Sequence, residues 1–308
     1  MLFRSNDTAT TEIYTVSDTL SLHDALPIST LALPLSLSIH ARAAGDAMAR
    51  DYIAAPAGVD LAVGYYTHKQ ANTYVANGKD IGVDFSSDLL VARYVHFMEI
   101  GGMIIDPQII LPMGQLNVNL PGAVDDRRSS MGDMILLSSF WFVNDPANKT
   151  WIAFTPYVTV PTGNYNDERP GTSLGSNRWS YTAEFGMTKG FGENTTLDMI
   201  AAVDFFGHND DYFGQTQKKG KVWSAQAIYA YNLTPTLWAS AKYTWASGGE
   251  TELGEVSQND KSKLQTLAFG LAKQVTRQDQ VQVEYIQDIK VDNAFETRGA
   301  RVRFVHAF

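Results

Sequence analysis

The sequence predicts an all-β fold, a closed antiparallel transmembrane β-barrel of twelve strands. Three observations predict it. Twelve segments of roughly ten residues alternate apolar and polar side chains, the length and period of a tilted strand crossing a bilayer. The connections between them alternate strictly, long after the odd segments and short after the even ones. No stretch reaches the ~18 consecutive apolar residues of a membrane-spanning helix. The last segment shows the pattern most plainly: in residues 300–308, Val302, Phe304, His306 and Phe308 share one face, and Arg301 and Arg303 share the other. That division suits lipid outside and water inside.

Composition agrees with an envelope barrel. The 308 residues include 14 Tyr, 15 Phe and 6 Trp, enough ring material for aromatic girdles at both membrane interfaces. Cysteine is absent, which removes disulfides and thiolate chemistry. A net charge of -9 without any Lys/Arg stripe argues against nucleic acid as a partner.

Residues 31–43 read as the remnant of a secretory signal, a short apolar core followed by the small-x-small run Ala41-Arg42-Ala43. Residues 2–28 resemble a conceptual translation of sequencing-adapter DNA, so residues 1–30 are expected to be an artefactual leader. Residues 44–308 then form a single barrel domain. Its first stretch, 44–56, is small and polar with Arg50, Asp51 and Tyr52 at the centre, and either leads into the first strand or tucks into the lumen.

The strands follow in order. Segment one (59–68) sets Leu61, Val63 and Tyr65 against Asp60, Ala62, Gly64, Tyr66 and His68, and a polar stretch covers 69–87. Segments two and three (88–100 and 103–111) flank Gly101-Gly102, with neither face assigned by the pattern; residues 113–129 read as a polar loop. Segments four (131–143) and five (151–160) are joined through Asn144-Asp145-Pro146, and Pro161-Thr162-Gly163 opens a loop reaching Asn177. Segment six sets Trp179, Tyr181 and Phe185 against Thr182 and Glu184. Segment seven sets Leu197, Met199 and Phe205 against Asp198, Ile200 and Asp204. Segments eight and nine repeat the division around Gln226 and Lys242. Segments ten (263–273), eleven (281–289) and twelve complete the set, segment eleven carrying Glu284 and Asp288 opposite Val283 and Tyr285.

Loops sorted by length at the two ends are what an outer-membrane barrel needs, with short turns and both termini on the periplasmic side. No edge can stay open in lipid, where each unpaired amide costs several kcal/mol, so the first and twelfth strands are expected to pair. The expected location is the bacterial outer membrane, and the expected partners are its lipid and, through the C-terminal strand with its terminal Phe308, its assembly machinery.

The polar residues assigned to the inward faces are the candidate solute path: Asp60, His68, Glu184, Asp198, Asp204, Lys242, Glu284, Asp288, Arg301 and Arg303. Buried charges need partners whatever the function, so the same set also suits a closed network. No HExxH, His/Cys cluster, P-loop or dinucleotide fingerprint occurs, so no metal or cofactor is expected. No GxSxG occurs either, and the expectation is a non-enzyme. A lipase-type barrel enzyme and a sealed structural barrel stand as the alternatives at this level.

Several stretches resemble the outer-membrane transporter-like family associated with meta-pathway phenol degradation. They are Arg50-Asp51-Tyr52 with Pro56 and Gly58, Gly101-Gly102 with Leu111-Pro112, Gly132-Asp133, Val160-Pro161-Thr162-Gly163-Asn164-Tyr165, and Leu174-Gly175-Ser176-Asn177 with Trp179. The resemblance implies passive or facilitated passage of small hydrophobic or aromatic compounds. It transfers no agreed ligand residues. Tyr165, Asn177 and Trp179 are singled out as candidates for the pore mouth, where two of these motifs are expected to meet; an equally open reading makes them a rigid loop with Trp179 in an aromatic belt.

Overall fold

Period-two alternation produces strands with one face for lipid and one for the lumen, and pairing every strand edge closes them into a ring. The computed structural model describes residues 46–120 and 124–308. The leader and signal segments assigned to residues 1–43 lie outside that range.

Twelve strands form the barrel. They are β1 (Asp60–Ala76), β2 (Lys79–His96, continued as Met98–Ile100), β3 (Met103–Leu120), β4 (Met134–Asp145), β5 (Thr150–Val160) and β6 (Ser180–Phe191), then β7 (Thr195–Phe206), β8 (Val222–Thr234), β9 (Leu237–Gly248), β10 (Ser262–Gln274), β11 (Asp279–Asp292) and β12 (Arg298–Ala307). Each pairs antiparallel with its neighbours in sequence, and β1 closes on β12 from Leu61↔Ala307 to Gln70↔Arg298. Phe308 extends the seam, its amide donating to the Asp60 carbonyl at 3.0 Å.

From β6 onward the faces fall as the alternation predicts. Tyr181, Phe185, Trp223, Tyr229, Phe269, Tyr285 and Phe304 are exposed on the outside, while Glu184, Asp198, Asp204, Lys242, Glu284, Asp288, Arg301 and Arg303 are buried inside.

Segment one is inverted. The structure turns Leu61, Val63 and Tyr65 inward and puts Asp60, Tyr66 and His68 on the outer face, so Asp60 and His68 leave the candidate path. The reason is what fills the lumen: Leu61 packs on the same apolar cluster as Val95, Ala49 and Tyr52, so this part of the wall needs an apolar inner face. The outward polar groups are paired instead. Asp60 accepts from Tyr94 Oη at 2.5 Å and lies 2.7 Å from His96 Nδ1; Asp88 accepts from Tyr66 Oη at 2.6 Å and lies 2.9 Å from His68 Nδ1. Pairing lowers the cost of polar atoms on a membrane-facing surface.

The polar stretches at 69–87 and 113–129 are not loops. β1 and β2 continue past the barrel to Ala76 and Lys79, joined by Asn77-Gly78 with φ of 49° and 74°, the left-handed pair of a two-residue hairpin turn. Val124–Met131 likewise folds back on the far half of β3. These ribbons carry a small core of their own: Phe85 stacks on Phe295 at 4.4 Å between centroids, Tyr74 meets the same ring edge-on at 5.1 Å, and Val83 and Val118 complete it. At the same end a four-stranded sheet forms from Asn209–Tyr212, Gln215–Lys219, Thr251–Leu253 and Val256–Ser257, inside stretches read as loops.

Candidate functional site

The N-terminal stretch 46–58 runs inside the barrel and packs against inward-facing side chains at the end that carries the short turns. A tight turn begins it: Asp51 accepts from the Met48 amide at 2.9 Å and Arg50 takes φ 73°. The turn aims three consecutive side chains at three parts of the wall. Arg50 lies over the Trp238 ring at 4.7 Å and donates to Asn232 at 2.7 Å, while its amide donates to Asp198 at 2.9 Å. Asp51 accepts from Arg303 at 2.5 Å. Tyr52 donates to Glu184 at 2.6 Å, and its carbonyl accepts from Trp141 Nε1 at 2.8 Å. Four residues before Arg50 in this plug, Asp46 bridges Lys242 at 2.7 Å and Arg301. Apolar packing reinforces the polar grip, with Ala49 and Tyr52 seated among Phe97, Trp141, Trp151, Ile200, Ile228 and Trp238.

These contacts fix the ionisation of the plug. Burial alone would raise both aspartates, but Arg301 and Lys242 hold the Asp46 carboxyl well below the usual 3.8, and Arg303 and Arg93 hold Asp51 below it. A carboxylate whose pKa is depressed when docked contributes docking stability above its free value and loses it as pH falls through the depressed one. The plug is therefore expected to stay shut from neutral pH down to 3.8 and to loosen only below it. Planar-bilayer conductance against pH checks this; opening already at neutral pH contradicts it.

Beyond the plug the lumen widens into a cavity of about 240 Å³. The lining is mostly apolar, from Phe85, Leu89, Val91, Ile110 and Ile135 round to Val222, Leu264 and Ile286; Thr182, Asp204, Ser224, Thr244, Thr266 and Asp288 set hydroxyls and carboxylates among the apolar side chains of β6 to β11, and Asp46, Lys242 and Arg301 also line it. A cavity of roughly 150 Å³ accommodates benzene, so a single substituted ring fits here.

The path residues named from sequence separate accordingly. Asp204, Lys242, Asp288 and Arg301 line the cavity. Glu184 and Asp198 grip the plug, and Arg303 is held by Asp51, Gln280 and Gln282. Glu284 stands behind the cavity, 3.8 Å from Lys242 and 3.7 Å from Arg301.

At the end that carries the long connections, Tyr165 and Asn177 do meet, through Asn209. Asn209 Nδ2 donates to Tyr165 Oη at 2.8 Å, and Asn177 Nδ2 donates to Asn209 Oδ1 at 2.9 Å. Trp179 does not join them. It is 47% exposed at the start of the β6 outer face, beside Tyr181, because strand alternation at that point turns it outward. Sequence reasoning missed Asn209, and also the two carboxylates that fold the loop over the mouth. Asp133 accepts from the Gly163 amide at 2.9 Å and from Ser176 Oγ at 2.5 Å; Asp126 accepts from Thr172 at 2.5 Å and from Arg169 at 3.3 Å. The Gly132-Asp133 motif was the available signal for the first of these.

Comparison with known proteins follows this geometry. No curated protein matches the chain. Among solved structures, the COG4313 outer membrane channel from Pseudomonas putida F1 is similar at 25% identity, TM-score 0.81, covering 85% of this chain and 100% of that one. The β domain of the Bordetella autotransporter BrkA (8% identity, TM-score 0.51, 82% and 99% covered) and the translocator domain of NalP from Neisseria meningitidis (9%, 0.51, 91% and 97%) share the fold alone. A closed barrel with a lipid-facing exterior and these neighbours is a protein of the bacterial outer membrane. Residues 63–304 match the family described as putative MetA-pathway of phenol degradation, and the chain belongs to that family.

Proposed function

We propose that the protein is an outer-membrane channel for small aromatic or hydrophobic compounds, closed at its periplasmic end by residues 46–58. The observation that carries this reading is the cavity itself: apolar side chains for a ring, hydroxyls and carboxylates among them for its polar substituent, and a floor made by residues 46–58. The likeness to a channel of Pseudomonas putida supports it. Passage is favoured over hydrolysis by the partners of the outer-face histidines. His68, His96 and His306 each hold a carboxylate on Nδ1, but the hydroxyls alongside belong to Tyr66 and Tyr94 and bond the carboxylates, whereas the nucleophile of a serine triad bonds the other ring nitrogen of its histidine.

Proteoliposome uptake tests the proposal. Because phenol crosses lipid unaided, the solute is a slowly permeating aromatic acid alongside a neutral aromatic alcohol. Uptake above that of empty vesicles is expected for at least one; rates equal to empty vesicles for both would establish a sealed barrel.

We also assign recognition by the outer-membrane assembly machinery to the outward side chains of β12, Val302, Phe304, His306 and Phe308. Phe308→Ala is expected to lower the inserted, heat-modifiable fraction several-fold without changing the selectivity of the molecules that do insert. Normal insertion of that variant would remove Phe308 from the set.

A further inference from the structure

We infer that Lys242 and Arg301 form a carboxylate-binding site for aromatic acids, and that the Asp46 carboxylate of the plug is its built-in competitor. This rests on the channel reading and names its substrate class.

Asp46 uses both oxygens: Oδ1 accepts from Lys242 at 2.7 Å and Oδ2 from Arg301. The two cations are otherwise incompletely served. Glu284 stands 3.8 and 3.7 Å away, longer than a charge-assisted hydrogen bond, and its Oε2 makes no hydrogen bond despite full burial. Among the described residues, Lys242 adds only the Ala47 carbonyl at 3.1 Å, and Arg301 only Thr67 at 3.2 Å. With Asp46 in place the four charges cancel. Without it, Lys242 and Arg301 against Glu284 leave this cluster one unit positive, with Lys69 a further cation lining the same cavity. A buried positive charge attracts a carboxylate strongly, and Arg301 offers a planar fork suited to one.

The surroundings say which carboxylates fit. Lys242, Arg301 and Asp46 line the same cavity as the apolar side chains of Phe85, Leu89, Val91 and Ile110. An acid bearing a ring satisfies both surfaces; acetate satisfies one, and a neutral aromatic alcohol the other. Asp46 is also the residue of 46–58 that lines the cavity. Arg50, Asp51 and Tyr52 hold separate strands, so an incoming carboxylate can replace Asp46 without first unseating them. The exchange swaps one carboxylate for another at unchanged net charge and removes one of the plug's fastenings. Arrival of the solute thus loosens the floor that blocks its exit.

The test is isothermal titration of the full chain in detergent at neutral pH with benzoate, benzyl alcohol and acetate. In the wild type, benzoate is expected to bind roughly tenfold more tightly than either control. Asp46→Asn removes the competitor, so benzoate affinity should rise on the order of tenfold, since apparent affinity scales with the fraction of molecules whose site is free. Lys242→Gln and Arg301→Gln should lose benzoate binding. If either fails to fold, Asp46→Asn alone decides, because nonspecific damage weakens binding and the expected change is a gain. Unchanged or weaker benzoate binding in Asp46→Asn overturns the inference, as does acetate or benzyl alcohol binding as tightly as benzoate. Benzyl alcohol uptake into proteoliposomes together with such a result defeats this inference and leaves the channel standing; uptake of neither solute defeats both.

Discussion

Gly186→Ala opens the lumen while the barrel stays folded. A Cβ at this position would lie 1.9 Å from Tyr52 Cζ and 2.1 and 2.2 Å from its Cε atoms, inside the aromatic ring. One partner has to move, and the strand cannot: Gly186 is laddered to Ala153 on β5 and to Ile200 on β7. Tyr52 therefore leaves its seat, losing the 2.6 Å hydrogen bond to Glu184 and its packing in the apolar cluster. Losing a buried aromatic side chain costs roughly 2–3 kcal/mol, which shifts the docked-to-released ratio of the plug by a factor of about 30 to 150. Gly186 does not take a positive φ, so its backbone accepts alanine. Single-channel recording should show long open events rare in the wild type, with heat-modifiability on gels unchanged. Wild-type conductance in Gly186→Ala would mean that Tyr52 does not hold the floor closed.

Internal deletion of residues 46–58 should have the larger effect, converting a blind cavity into a through-pore. The barrel ladder runs from β1 to β12 without this stretch, so its closure does not depend on the plug. The wall residues it covers become wet, and water replaces the hydrogen bonds that Arg303, Asp198 and Glu184 now make to it. The deleted stretch carries Asp46 and Asp51 against Arg50, so its loss makes the lumen one unit more positive. Open-channel conductance should rise at least several-fold, and reversal potentials in a salt gradient should shift toward anions. A conductance as low as the wild type's would place the barrier elsewhere, at the mouth formed by Tyr165, Asn177 and Asn209.

The second half of the chain was legible because its alternation is clean and its lumen face is polar. Thr182-Glu184, Asp198-Asp204, Lys242, Glu284-Asp288 and Arg301-Arg303 all point inward as expected. The first half was harder to read for two reasons. The ribbons beyond residue 69 follow the same period, yet Lys, Asn, Ser and Asp dilute it, and the one strong local signal there, Asn77-Gly78, sits between weakly apolar strands. In segment one, alternation grouped the residues correctly, but the polar face was taken as the inner one.

By itself the sequence determined that the ring closes on twelve strands and, from β6 onward, which side chains share a face, because period-two patterning acts between near neighbours. Only the tertiary structure decided which face of β1 is inside, how far the plug reaches, and which carboxylates it presents. Those depend on contacts such as Asp46 to Arg301 and Tyr52 to Glu184, separated by 255 and 132 residues. Arg50-Asp51-Tyr52 reads as three polar residues in a short tail until the barrel surrounds it; the pairing partners that give the tail its role exist only once twelve strands have closed.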